Sequence, residues 1–84
     1  MDNQDLQKRI SEAMDFINRG DTSSAMWLSE NLLAEVRNPL TLQLMARCLM
    51  QLDGTPEAIE LLKEGLALAP RDPRLLHDLG MAYS

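Results

Sequence analysis

Small and bulky side chains recur along this chain at a fixed interval. Ala13, Ala46 and Gly80 are spaced by 33 and then 34 residues, and Phe16, Leu49 and Tyr83 follow the same two steps. Ala25 and Ala58 are 33 apart, while Asn38 and Asp72, and Pro39 and Pro73, are 34 apart. The first unit is therefore one residue shorter, and the missing residue falls in the loop after Val36. An interval of this length is one supersecondary unit that cannot bury its apolar face alone, so successive units must stack. A small residue at a constant place in each unit marks where two helices cross closely, because no bulky side chain can separate them there.

The chain breakers divide the sequence into helix-sized segments. Gly20-Asp21-Thr22, Arg37-Asn38-Pro39, Asp53-Gly54-Thr55-Pro56 and Pro70-Arg71-Asp72-Pro73 are the four junctions. Asn38-Pro39, Thr55-Pro56 and Asp72-Pro73 each place a side-chain oxygen ahead of a proline. That pattern predicts a cap for the orphan amides, then a first helical residue whose missing N–H costs nothing. Thr22 is expected to cap the second segment without a proline. Within the segments Leu6, Ile10, Ala13 and Ile17, and then Ala25, Leu28, Leu32 and Val36, recur with the helical period. Five helices are predicted near 3–19, 22–36, 39–52, 56–69 and 73–83.

Composition agrees with packed helices. Hydrophobic residues make up 45% of the 84, enough for a core, but aromatics are only 4%, so strand-forming types are scarce. The net charge of −5 has the wrong sign for polyanions, and no basic stripe offsets it, so nucleic acid is not an expected partner. The first residues are polar, unlike a secretory leader, and no apolar run approaches the ~20 residues that cross a bilayer. No membrane association is expected. A single cysteine, Cys48, has no internal partner and suits a reducing compartment, so a cytoplasmic location is expected.

The repeat resembles the tetratricopeptide repeat, a helix–turn–helix unit of about 34 residues. The best match is 39–72, where the family pattern falls on Leu42, Met45, Ala46, Leu49, Ala58, Leu62, Gly65 and Pro70. The unit 6–38 fits at Ala13, Phe16, Gly20 and Ala25, but Arg9 and Glu12 stand where the family has large apolar residues. A third unit, 73–84, supplies Leu76, Leu79, Gly80 and Tyr83 and then only its first helix. The resemblance implies a single all-α domain over 1–84. Its fold would be a right-handed superhelical stack of antiparallel helical hairpins, about two and a half repeats. It also leads to the expectation that the chain is the N-terminal part of a longer repeat or multidomain protein.

What the resemblance implies for function is a peptide or partner segment held in the concave groove lined by the first helix of each unit. Carried over by register, the facing positions are Ile10, Met14 and Ile17, then Gln43, Arg47 and Met50, then Arg74, His77 and Met81. Such a face is rich in methionine, which adapts to varied apolar side chains, and its arginines suit a carboxylate. The plainer alternative is that Ile10, Met14 and Ile17 pack within the first hairpin. The Lys/Asn clamp by which some members hold a terminal carboxylate is not present, since its positions hold Ile10, Met14, Gln43 and Arg47. A second reading is an N-terminal accessory or dimerisation domain of a larger bacterial enzyme, because similar arrays precede sulfotransferase or hydroxylase domains. For self-association the candidates are Trp27, at a solvent position of the repeat, and the apolar face Leu76, Leu79 and Tyr83 of the last helix. That face is expected to pair as a homodimer or exchange a helix.

No catalytic set emerges, and neither a cofactor nor a metal is expected. His77 is the sole histidine and lacks further ligands at useful spacing. Ser23, Ser24 and Ser29 have no histidine partner for a triad. Glu57, Glu60 and Glu64 share a helix face with Lys63 and read as a solvated charged surface. Asp53-Gly54 reads as a turn, and Cys48 as a small buried thiol.

Overall fold

The computed structural model of the chain describes residues 3–84; Met1 and Asp2, which open the polar N-terminus, lie outside it. Among the described residues there are five helices and no strand: α1 (Asn3–Arg19), α2 (Thr22–Glu35), α3 (Pro39–Gln51), α4 (Thr55–Leu68) and α5 (Pro73–Tyr83). The fold is all-α, and the predicted ends lie within a residue of the observed ones. Each helix packs on the next, and α3 also touches both α1 and α5.

The turns account for these ends. Gly20 adopts φ +80°, which lets its amide reach Ile17 O at 3.1 Å while Asp21 N reaches Phe16 O at 2.9 Å. This double closure satisfies the last carbonyls of α1, and only glycine enters that conformation without steric cost. Asn38 accepts from Thr41 N at 2.9 Å while Thr41 Oγ1 accepts from Asn38 N at 3.0 Å, a reciprocal cap before Pro39. Asp72 caps α5 through Arg74 N at 2.9 Å.

Two expected caps are corrected. Asp21, not Thr22, caps α2, taking Ser24 N and Ser24 Oγ on its two carboxylate oxygens. Thr22 is already helical, and its hydroxyl donates instead to Gln51 Oε1 at 2.6 Å. Thr55 is likewise inside α4, because Gly54 N bonds back to Leu49 O at 2.6 Å and takes the capping position without a side-chain bond.

The core is divided by α3. On one side Ile10, Ala13, Ile17, Ala25, Leu28 and Leu32 pack with Leu44 and Cys48; on the other, Ala46 packs with Ala58, Leu62 and Leu75. Ala13, Ala25, Ala46 and Ala58 have no exposed surface and lie inside the helix packing. Gly80, the third member of the Ala13 and Ala46 series, is instead exposed with nothing within 4 Å of its Cβ position, so no helix crosses closely there. Each fully buried leucine contributes about 1.5–3 kcal/mol from burial. Of the two polar departures in the first unit, Arg9 has a partner across the hairpin. Arg9 Nη1 lies 2.6 Å from Glu35 Oε2, so an ion pair joins α1 to α2 near the end of that hairpin. Arg37, in the loop after α2, grips both Glu64 oxygens of α4 at 2.8 and 2.6 Å and ties the two halves together.

Candidate functional site

Lys8 and Asp15 are exposed on α1, and α1, α3 and α5 together line a partly apolar hollow. Near the C-terminal halves of these helices lies a hollow of about 340 Å³. Ile17, Met50 and Met81 supply its apolar surface, and Arg47, Gln51, His77 and Asp78 its polar groups. Met81 stands 34 residues after Arg47, at the register-equivalent place on α5, and Met50 lies about one turn beyond Arg47 on α3.

Three of these polar groups, Arg47, Gln51 and Asp78, are held by neighbouring residues. Asp78 is 2% exposed, and its Oδ2 accepts from Gln43 Nε2 and from Arg47 Nε, each at 3.0 Å. Such charge-assisted bonds offset the desolvation of a buried carboxylate. Arg47 keeps 34% of its side chain exposed, and only its Nε is engaged in a hydrogen bond among the described residues, so its η-nitrogens remain for the hollow. Gln51 is held from both ends: Nε2 donates to Ile17 O at 3.3 Å, and Oε1 accepts the Thr22 hydroxyl. Among the described residues no buried side-chain nitrogen or oxygen lacks a partner.

The nine expected partner-facing residues separate into three groups. Ile17, Arg47, Met50, His77 and Met81 come together in this hollow. Ile10 lines a second hollow of about 380 Å³ with Leu6, Gln7 and Leu40, near the N-terminal ends of α1 and α3. Ile10 and Ile17 are also core residues that reach the surface only at one edge. The remaining three are not brought to either hollow. Gln43 is 5% exposed and spends its amide on Asp78. Arg74 turns back to its own cap Asp72, with Nη2 at 3.3 Å from Oδ2. Met14 is exposed on α1 but lines neither hollow.

Asp78 is the site residue that the sequence reading missed. Its register equivalent in the preceding unit, 34 residues earlier, is the buried Leu44. A carboxylate at a core position was the available signal, because a buried charge requires a partner nearby.

The self-association candidates differ in exposure. Trp27 is 65% exposed beside a third hollow of about 420 Å³ formed with Glu12, Phe16 and Leu28. Leu76 and Tyr83 are 49% and 62% exposed, while Leu79 packs partly against the second core cluster. Cys48 is buried, 3.6 Å from Ser29 Oγ, and burial raises its thiol pKa. Among the described residues no three His, Cys, Asp or Glu side chains gather as a metal set, and no helix is long and apolar enough to cross a membrane. Compared with known proteins, the chain matches no family model, no curated protein and no solved structure.

Proposed function

We propose that the chain is a tetratricopeptide-type stack of helical hairpins that serves as a non-catalytic protein–protein interaction module. It binds a peptide or partner segment along the concave face. The observation that carries this reading is the convergence of Arg47 and Met50 from α3 with His77 and Met81 from α5, beside Ile17, in one open hollow. A flexible, polarizable apolar floor beside fixed donors suits a peptide, whose backbone and side chains need both. The lone buried thiol fits a reducing, cytoplasmic setting.

The test is selection from a random peptide library, followed by titration of the selected peptides into wild type, Arg47→Glu and Met81→Glu. Circular dichroism melts establish that each variant is folded. Selected peptides that lose at least ~10-fold in affinity on the folded variants support the groove. Unchanged affinity on both removes it.

A second reading, an accessory or dimerisation domain, is favoured by the α5 face. Leu76 and Tyr83 are exposed there, and a Cβ added at Gly80 would meet nothing within 4 Å, so a further helix has room to approach. Sedimentation of wild type against Leu76→Glu distinguishes the two readings: a dimer lost in the variant supports this one, and a monomer throughout opposes it.

A further inference from the structure

We infer that the hollow between α1, α3 and α5 selects a segment that carries an internal aspartate or glutamate side chain next to a bulky apolar one. This rests on the groove reading above and specifies the chemistry of its occupant.

The chain is acidic overall, at −5, yet the ionic group that this hollow presents to a ligand is a guanidinium. The carboxylate of Asp78 lies beneath, 2% exposed, with one oxygen already taken by Gln43 and Arg47. The buried pair is therefore oriented, with its negative end inside and its positive end at the surface. Arg47 Nε is spent on Asp78, so the η-nitrogen edge of the fork is left for an outside acceptor. That edge matches a carboxylate end-on through two parallel N–H bonds, a geometry that a hydroxyl or amide oxygen meets only in part. The Nε bond also holds the fork in place before a ligand arrives, which lowers the ordering cost of binding. His77 adds a further donor at the same rim.

The apolar neighbour follows from Met50 and Met81, which line the same hollow as Arg47. A carboxylate at Arg47 thus brings the adjacent side chain of the segment over both methionines. An internal acid, not a chain terminus, follows from the second hollow. Leu40, which lines that hollow, precedes Arg47 on α3 by about two turns, or ~10 Å, a span of roughly three extended residues. A segment anchored at Arg47 has apolar surface to cover on either side. The fitting pattern is an apolar residue, two spacers, an acid and a second apolar residue.

The probe is an acetylated and amidated dodecapeptide containing Leu-Ser-Gly-Glu-Leu, titrated into the 84-residue chain. It is compared with the same peptide carrying Gln or Lys for Glu, and with a Gln peptide that ends in a free carboxylate. The expected result is ~10-fold tighter binding of the Glu peptide than of the Gln peptide, with Lys weakest. On Arg47→Gln, checked for folding, the Glu and Gln peptides should agree within about 2-fold. Because the Glu-to-Gln change is made in the peptide, an unfolded variant cannot imitate the wild-type result. Equal Glu and Gln affinities, or a preference for Lys, overturn the inference while leaving the groove in place. Tighter binding of the free-carboxylate peptide overturns the internal source. No binding by any of the four, together with no selectable peptide from the library, overturns the groove reading itself.

Discussion

Leu75 Cδ1 stands 3.1 Å from where a Cβ on Gly65 would lie, so the approach of α5 to α4 depends on that missing methyl. Leu75 is 1% exposed and has little room to withdraw. Gly80, also helical, has open space at the same point. Alanine is favoured over glycine by about 1 kcal/mol in a helix interior. Gly80→Ala should therefore raise stability by up to ~1 kcal/mol, whereas crowding in Gly65→Ala should reverse the gain and cost ~1–2 kcal/mol. Urea unfolding of the two variants measures this directly. In a Leu75→Ala background the Gly65→Ala penalty should vanish, and additive effects would refute the contact as its cause.

Asp78 is held by two donors, and removing it leaves both without their acceptor. Asp78→Ala should cost ~2–3 kcal/mol, since Gln43 is buried and Arg47 is only partly exposed. Asp78→Leu tests the other side of the comparison. It restores the apolar type found at the register equivalent Leu44, and it should cost less than the alanine variant if cavity formation dominates. Equilibrium unfolding at neutral pH separates these outcomes.

The helices and much of the core were legible because their signals are local. Caps, prolines and the period of Leu6, Ile10, Ala13 and Ile17 act within a few residues, and the observed ends follow them closely. The caps at Thr22 and Thr55 were misplaced by one residue because adjacent residues offered competing starts, and backbone closure of the preceding turn chose between them. The site was less legible. Gln43 and Arg47 lie one helical turn apart on the same face of α3, and the sequence period does not separate them. Asp78, 35 and 31 residues further on, draws the first inward and leaves the second at the rim. Arg9 similarly looked like a defect in the repeat until its partner Glu35 was placed opposite it.

Cys48 lies in the interior against Ser29, and burial raises its pKa by disfavouring the thiolate. Its reaction with an aromatic disulfide reagent at pH 8 should be at least ~100-fold slower in the folded chain than in urea. Because the thiol becomes accessible through opening of the helices, Gly65→Ala should accelerate the reaction about tenfold for each ~1.4 kcal/mol of stability it loses. A native rate equal to the denatured rate would show that the site is open.

Acid should weaken the fold through two ion-paired carboxylates, Glu64 and Asp72. Glu64 is held below the usual carboxylate range by the Arg37 hydrogen bond and charge, and Asp72 by the hydrogen bond from Arg74. A depressed folded pKa contributes stability above the unfolded value and loses it as pH falls through the folded one. The urea midpoint should therefore decline between neutral pH and about pH 3. Glu64→Gln should lower the neutral-pH midpoint slightly and flatten that decline. An identical slope in the variant would mean that the Arg37 contact does not persist in solution.

Trp27 is 65% exposed on the continuous helix α2, and its carbonyl also accepts from the Asn31 side chain at 2.7 Å. An indole that contributes little to the core should tolerate truncation, and Trp27→Ala should change stability by less than ~1 kcal/mol. At low micromolar concentration its emission should lie near that of indole in water and be quenched freely by acrylamide. Phe16 and Leu28 provide apolar surface beside it, while Arg19 sits over the Phe16 ring at 4.7 Å. If that surface takes part in self-association, raising the concentration should shift the emission to the blue and protect it from acrylamide, in step with a rise in sedimentation coefficient. A dimer whose Trp27 remains fully quenchable would assign association to a different surface, such as the Leu76 and Tyr83 face of α5.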